Sequence, residues 1–305
     1  MVPTRKLTVL VTTAESRTGD AVVQELLSGE YKNRIAKVIA LFPPDLENPE
    51  HMNLGAEIQN IDVLETSVDE LSTLMKSNGV DVAVLVPPAT DAKVLVAENL
   101  LRAAQEAGTL NAITVSSQAC DDPNGGRRMQ QFLAIEKASK ASSVPNVCIA
   151  RAGHYIQNLF LYTEQVKDSK TLGLPIDHKK FAPVDVRDVA YAITTIIGHG
   201  VEQHRARCYE FTGPEALTGD ELVAKSGIPD IRFKPISVQD WREYIELVED
   251  LDPSEIEVLE EQFHLVRLGR LQYVSPDFTR VVGKPPRPVE AWWSEARDEF
   301  IPEEE

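Results

Sequence analysis

The chain has 305 residues, of which 43% are hydrophobic and 26% charged, and its formal net charge is −17. That length holds one large α/β domain or a domain plus a smaller lobe. The acidity argues against nucleic acid or an anionic membrane surface as partner, because both are held by a basic face.

The first half alternates strand and helix signals. Leu7–Val11 predicts a strand of ordinary length rather than a signal peptide, since no small-residue cleavage site follows it. Gly19–Leu27 begins an amphipathic helix, and Ala36–Phe42 is a second apolar strand ended by Pro43 and Pro44. Ala56–Val63 predicts a third strand and Val68–Lys76 a helix closed by Asn78-Gly79. Val80–Val86 is apolar and stops at Pro87-Pro88. A helix is expected over Ala92–Ala107, with Gly108 as its C-cap. Asn111–Ser116 predicts a strand, Met129–Ser142 a helix and Asn146–Arg151 the next strand. Apolar strands separated by helices indicate a parallel sheet covered on both faces, and right-handed crossovers make it doubly wound, of the Rossmann type.

The pattern changes after Gly153. Helices are expected at Ile156–Val166 and Val184–Gly198, joined by a proline-containing loop. Cys208–Thr212 predicts a late strand, Thr218 starts a helix, Ser237 caps another, and Pro253-Ser254 opens one more. Residues 1–152 therefore form the expected dinucleotide-binding core. Residues 153–305 form a small α+β substrate lobe that returns elements to the sheet and is not an independent domain.

The loop after the first strand decides what such a core can bind. A dinucleotide fold needs small residues there for a tight turn, for approach to the pyrophosphate and for helix packing. Here the three places hold Thr13, Ser16 and Gly19. Gly19 keeps the packing position, and Ser16, Arg17 and Thr18 can donate to a phosphate beside the helix N-terminus. Glu15 opposes one. The second strand ends without an acid for a ribose or a base for a 2′-phosphate, the nearest acid being Asp45 beyond two prolines. Asp62 ends the third strand, where it can meet an adenosine or simply face solvent, and Pro87 closes the next. Weakened NADP or NAD binding, or none, is the expectation.

Residues at the carboxyl ends of strands are candidates for substrate work. Ser117 and Asn158 are candidate substrate ligands. His154 and Tyr155 are a candidate acid–base pair, because an imidazole titrates near neutrality and a phenol donates to an oxyanion. The plainer alternatives are a capping histidine and packing residues. Asp185 and Asp188 stand near a helix start and read as structural, and Trp241, Trp292 and Trp293 read as core. Cys120, Cys148 and Cys208 are odd in number and far apart, which predicts buried free thiols and a cytoplasmic location. No metal-ligand spacing is visible.

Several segments together resemble the NmrA-like family of atypical short-chain dehydrogenases. They are Leu7–Leu27, Ala83–Pro88, Thr114–Ser117, Ala150–Asn158, Ala182–Ala190, Thr212–Thr218 and the closing Tyr273–Phe278 with Val282–Arg287. Fungal tailoring oxidoreductases of the festuclavine-dehydrogenase type are the nearest flavour. The resemblance implies NAD(P) across the sheet edge, and either a reductase or a redox-sensing regulator. Three departures stand beside it. The glycines expected at Thr13 and Ser16 are missing. The active-site lysine of many relatives falls at Phe132, four residues before Glu136. No Tyr-x-x-x-Lys occurs in the chain. Three functions stay open. The first is an NAD(P)-dependent oxidoreductase on a small hydrophobic metabolite, as in secondary-metabolite synthesis. The second is a cofactor-free isomerase, cyclase or dehydratase. The third is a non-catalytic regulator.

Overall fold

The computed structural model describes residues 5–44, 46, 54–248 and 251–302. The fold is α/β, with a seven-stranded sheet in the order β3-β2-β1-β4-β5-β6-β8. The strands are β1 (Leu7–Val11), β2 (Ile35–Phe42), β3 (Glu57–Asn60), β4 (Val82–Leu85), β5 (Asn111–Ser117), β6 (Asn146–Ala152) and β8 (Cys208–Phe211). β1 lies parallel to both β2 and β4, and β2–β3 and β4–β5 are parallel as well. Strand order reverses at β1 and β4, the place where a doubly wound sheet opens a crevice beyond its strand ends.

Two of the helices that flank the sheet start on caps that the sequence offers. α1 (Arg17–Ser28) is capped by Ser16, whose hydroxyl accepts from the Gly19 amide. α2 (Val68–Ser77) opens on a capping box of Ser67 and Glu70. α3 (Lys93–Ala107) ends on Gly108 at a φ of 78°. α4 runs Arg127–Ala141. On one face of the sheet, Leu10, Ile39, Leu41, Ala83, Leu85 and Ala112 are buried against Leu71, Met75, Val96, Leu100 and Leu101 of α2 and α3. The apolar residues of those strands and helices meet because strands alternate sides while helices repeat every three to four residues.

The remaining elements are α5 (Thr163–Ser169), β7 (Thr171–Leu174), α6 (Val186–His199), α7 (Gly219–Ala224), β9 (Arg232–Pro235), α8 (Val238–Ile245), α9 (Pro253–Arg267), α10 (Asp277–Val282) and α11 (Val289–Ala296). β7 and β9 pair in parallel as a second, two-stranded sheet, which hydropathy alone does not announce. The chain divides into two compact units. The first takes the chain through Ser117, then Gln131–Arg151 and Val186–Tyr209. The second takes Gln118–Gln130, Ala152–Asp185 and the chain from Glu210 onward. Inside the first unit α6 is packed against α1: Tyr191 donates to Glu30 at 2.5 Å, and the Arg34 guanidinium donates to the Gly198 carbonyl.

Some expectations shift. The helix expected at 156–166 is a 3-10 turn over Ile156–Tyr162 that passes into α5 only at Thr163. α6 starts at Val186, two residues later than expected. Cys208 is exposed, not buried, because it begins β8 at the sheet edge; Cys120 and Cys148 are buried. Trp241, Trp292 and Trp293 are core residues. Asp45 and residues 303–305 lie outside the described residues. Among the described residues, no helix is long and apolar enough to cross a membrane, and no cluster of side chains could hold a metal.

Candidate functional site

The loop between β1 and α1 is built on threonine rather than glycine. Thr13 sits in the left-handed region at a φ of 50°, a conformation that costs a β-branched residue about 1 kcal/mol or more. Its hydroxyl offsets that cost by donating to the Val86 carbonyl at 2.8 Å. Thr12 holds the same residue twice: its hydroxyl donates to the Val86 carbonyl at 3.0 Å and accepts from the Val86 amide at 2.9 Å. The loop is thus tied to the segment that follows β4, which continues into Pro87.

Three backbone amides of the turn are already used. Ala14 N donates to Leu41 O, Ser16 N to Thr13 O, and Gly19 N to the Ser16 hydroxyl. Ser16 also donates to the Thr13 carbonyl at 2.7 Å. Gly19 is required by space. A Cβ there would lie 2.2 Å from the Thr13 carbonyl oxygen, a contact with backbone that cannot swing away. Thr13, Ser16 and Gly19 are therefore one hydrogen-bonded turn. Thr18 is buried in the first turn of α1, and Arg17 is exposed beside it.

Glu15 is the anomaly in this turn. Its Oε2 is buried and has no hydrogen-bond partner. Burial raises the carboxyl above the usual glutamate range, and a hydrogen bond from its own backbone N–H lowers it by less.

Asp62 is used locally: its Oδ1 accepts from the Leu64 amide at 2.8 Å in the turn before α2. Ser117 ends β5 and is buried at the same carboxyl edge as the β1 loop and Pro87. Its neighbour Ser116 enters a network that sequence reasoning missed. Glu136 of α4 is fully buried and is held by Arg151 of β6, with Nε–Oε1 at 2.7 Å and Nη2–Oε2 at 2.9 Å. Ser116 donates to Oε1 at 2.9 Å, and Lys140 reaches Oε2 at 3.3 Å. One turn earlier, Phe132 has the Lys93 ammonium over its ring, 4.8 Å from the centroid. Lys93 is 2% exposed. It comes from α3, 39 residues before the position it faces, so no spacing rule would have found it.

In the second unit His154 is 5% exposed, set edge-on to Phe181 and against Phe263. Nδ1 stands 2.8 Å from Gln262 Oε1, and Nε2 stands 3.5 Å from Asn158 Nδ2. An amide oxygen accepts and an amide nitrogen donates. The pair therefore selects a neutral imidazole with its proton on Nδ1. Tyr155 has an extended backbone and bridges to Val184. Asp185 accepts from Gln157 at 2.8 Å, in keeping with a structural role. The structure therefore brings His154 and Asn158 together. Gln262, 108 residues away in sequence, completes the set.

The residues of the β1 loop fit the diphosphate of a dinucleotide in their turn, their helix N-terminus and the close approach at Gly19. The orphaned oxygen of Glu15 conflicts with it, and the amides of Ala14, Ser16 and Gly19 and the hydroxyls of Thr13 and Ser16 already have partners.

Comparison with known proteins adds the following. Residues 5–226 match the sequence pattern of the NmrA-like family. The chain is 27% identical over 215 residues to (4-alkanoyl-5-oxo-2,5-dihydrofuran-3-yl)methyl phosphate reductase of Streptomyces griseus, covering 68% of this chain and 73% of that enzyme. It is 24% identical over 214 residues to NAD(P)H azoreductase of Xenophilus azovorans, with the same coverage of 68% and 73%. The fold superposes on Citrobacter triphenylmethane reductase complexed with NADP(H), with a TM-score of 0.78 at 15% identity, over 95% of this chain and 100% of that one. It also superposes on NmrA, a negative transcriptional regulator in complex with NADP, with a TM-score of 0.74 at 16% identity, over 95% of each chain.

Proposed function

Because the chain belongs to the NmrA-like family, we propose that it is an NAD(P)H-dependent reductase of a small, largely apolar metabolite. The observation that carries this reading is the loop after β1. Thr13 makes the tight turn without glycine, and Gly19 lets α1 close to within contact of it. The reductase relatives support the reaction class.

In this reading Thr13, Ser16, Arg17, Thr18 and Gly19 hold the diphosphate. Asp62 and Pro87 border the adenosine half, and Ser117 meets the substrate or the nicotinamide end. When bound, the dinucleotide supplies a hydride. Tyr155 is the assigned proton donor. His154 is a positioning residue rather than the acid, since both ring nitrogens face side-chain amides and it is nearly excluded from solvent. It orients Asn158, which binds the substrate carbonyl. The odd number of cysteines supports a cytosolic location.

A second reading is a regulator that binds the dinucleotide without turnover. Phe132 occupies the place of the lysine that many relatives use, and the fold superposes on a transcriptional regulator.

Titration with NADPH and NADH, followed by nicotinamide fluorescence and calorimetry, tests the shared premise. Saturation in the micromolar range is expected, and no binding at millimolar cofactor would overturn both readings. Oxidation of NADPH with a panel of quinones, azo dyes and unsaturated lactones then separates them. Turnover that falls at least tenfold in Tyr155→Phe supports the reductase, and binding without turnover of any acceptor supports the regulator.

A further inference from the structure

Glu15 is left over from that account. It lies in the turn that the proposed function gives to an anionic diphosphate, one residue before the helix cap Ser16. A carboxylate there is poorly served. Oε2 is buried with no hydrogen-bond partner, and the carboxyl is raised by burial, opposed only by its own backbone N–H. The surrounding elements bring it little charge. β2 and the residues after it carry none from Ile39 through Pro44, and β4 and its continuation carry none from Val82 through Thr90. Asp91 and Lys93 follow beyond that. On its own side the charged groups are Arg17, which is exposed, and Asp20 in the first turn of α1.

Two like charges in one desolvated turn cannot both be kept at low cost, and the cheaper solution is for the weaker acid to take a proton. We propose, on the footing of the dinucleotide reading above, that Glu15 is the residue that sets cofactor affinity: the dinucleotide binds with uptake of one proton onto Glu15. As a neutral acid Glu15 becomes a hydrogen-bond donor, so the group that opposes a phosphate in its ionised form can serve one in its acid form. The hydroxyl protons of Thr13 and Ser16 are already given to the Val86 and Thr13 carbonyls, so these two residues serve the diphosphate through the shape of the turn and not as hydroxyl donors.

The sign follows from linkage. A bound anion raises the Glu15 carboxyl further. Between its titration in the free protein and in the complex, affinity falls by about tenfold per pH unit as pH rises. Below and above that window affinity is flat with respect to this group.

The test is calorimetry with NADH, whose diphosphate does not titrate near neutrality, unlike the phosphate monoester of NADPH. Heats measured at pH 7.0 in phosphate and in Tris, buffers of different ionisation enthalpy, report the protons taken up. The expected result is uptake approaching one proton in the unaltered protein. Glu15→Gln is expected to take up none and to bind about tenfold or more tightly at pH 8. NADH binding without proton uptake, together with unchanged affinity in Glu15→Gln, overturns the proposal and leaves the cofactor reading intact. Absence of binding in both proteins at millimolar NADH and NADPH overturns both. The uptake measurement needs no substitution, so poor folding of the variant does not block it.

Discussion

Thr13 shows how one side chain can stand in for a glycine. Its φ of 50° is unfavourable for a β-branched residue, yet its hydroxyl closes a hydrogen bond to Val86 that a glycine could not make. The two terms are each about 1 kcal/mol and opposite in sign. Thr13→Val keeps the strain and loses the bond, so it should lower stability by about 1–3 kcal/mol in urea unfolding. Thr13→Gly loses both and should change stability by less than about 1 kcal/mol. A Thr13→Val protein as stable as the parent would remove the hydrogen bond from this account. The threonines and Gly19 were legible in the sequence as occupants of the loop. The bond that makes Thr13 tolerable was not, because Val86 lies 73 residues away. For the same reason Glu136 was read only as a landmark on α4. Its full burial and its clamp by Arg151 depend on β6 lying alongside β5.

Among the elements, α4 begins without a cap of its own. Gly125 and Gly126 precede it, and neither can cap a helix through a side chain. The cap comes instead from α9. The Glu261 carboxylate accepts from the Arg128 amide at 2.9 Å and from the Met129 amide at 2.8 Å, while Glu257 pairs with the Arg128 guanidinium at 2.9 Å. A Cβ on Gly126 would lie 2.4 Å from the Glu261 carboxyl and push that cap aside. Glu261→Ala should therefore leave two orphaned helix amides and cost about 1–3 kcal/mol. Hydrogen exchange of the Arg128 and Met129 amides should speed up before the rest of α4 is affected; equal protection with and without Glu261 would contradict the assignment. By contrast α1, α2, α7 and α8 start on local Ser or Thr caps. The strands β1, β2, β4 and β5 are visible as apolar runs, the last three bounded by glycine, proline or asparagine. β9 is not, because only Phe233 of its four residues is buried. The stretch after Tyr155 reads as one helix because its apolar residues suit either helical form. Its tighter first turns are a matter of tertiary placement rather than pattern.

The whole molecule is threaded rather than strung. Each compact unit is assembled from three separate stretches of chain, and the first unit recovers Val186–Tyr209 only after the chain has served the second. That returning stretch includes α6, which contributes eleven buried residues and is packed along α1. A fragment ending at residue 152 should accordingly fail to fold on its own, because α1 would lose the helix packed along it. Circular dichroism and a urea titration of that fragment are expected to show no cooperative transition. A sharp transition with the stability of the full chain would show that α6 is dispensable. The alternating strands and helices disclosed the sheet, but they could not disclose this interleaving. Where the chain returns is set by contacts and not by composition.

The same threading imposes a timetable on the ribosome. Synthesis at about 5–20 residues per second leaves roughly 5–20 s between the emergence of Ser117 and that of Tyr209. The nascent β5 waits for its neighbour β6 only until Ala152 emerges, whereas α1 waits through most of the interval for α6. The newborn chain carries an open sheet edge and a bare apolar helix face, which is the interval in which a holdase chaperone would find it.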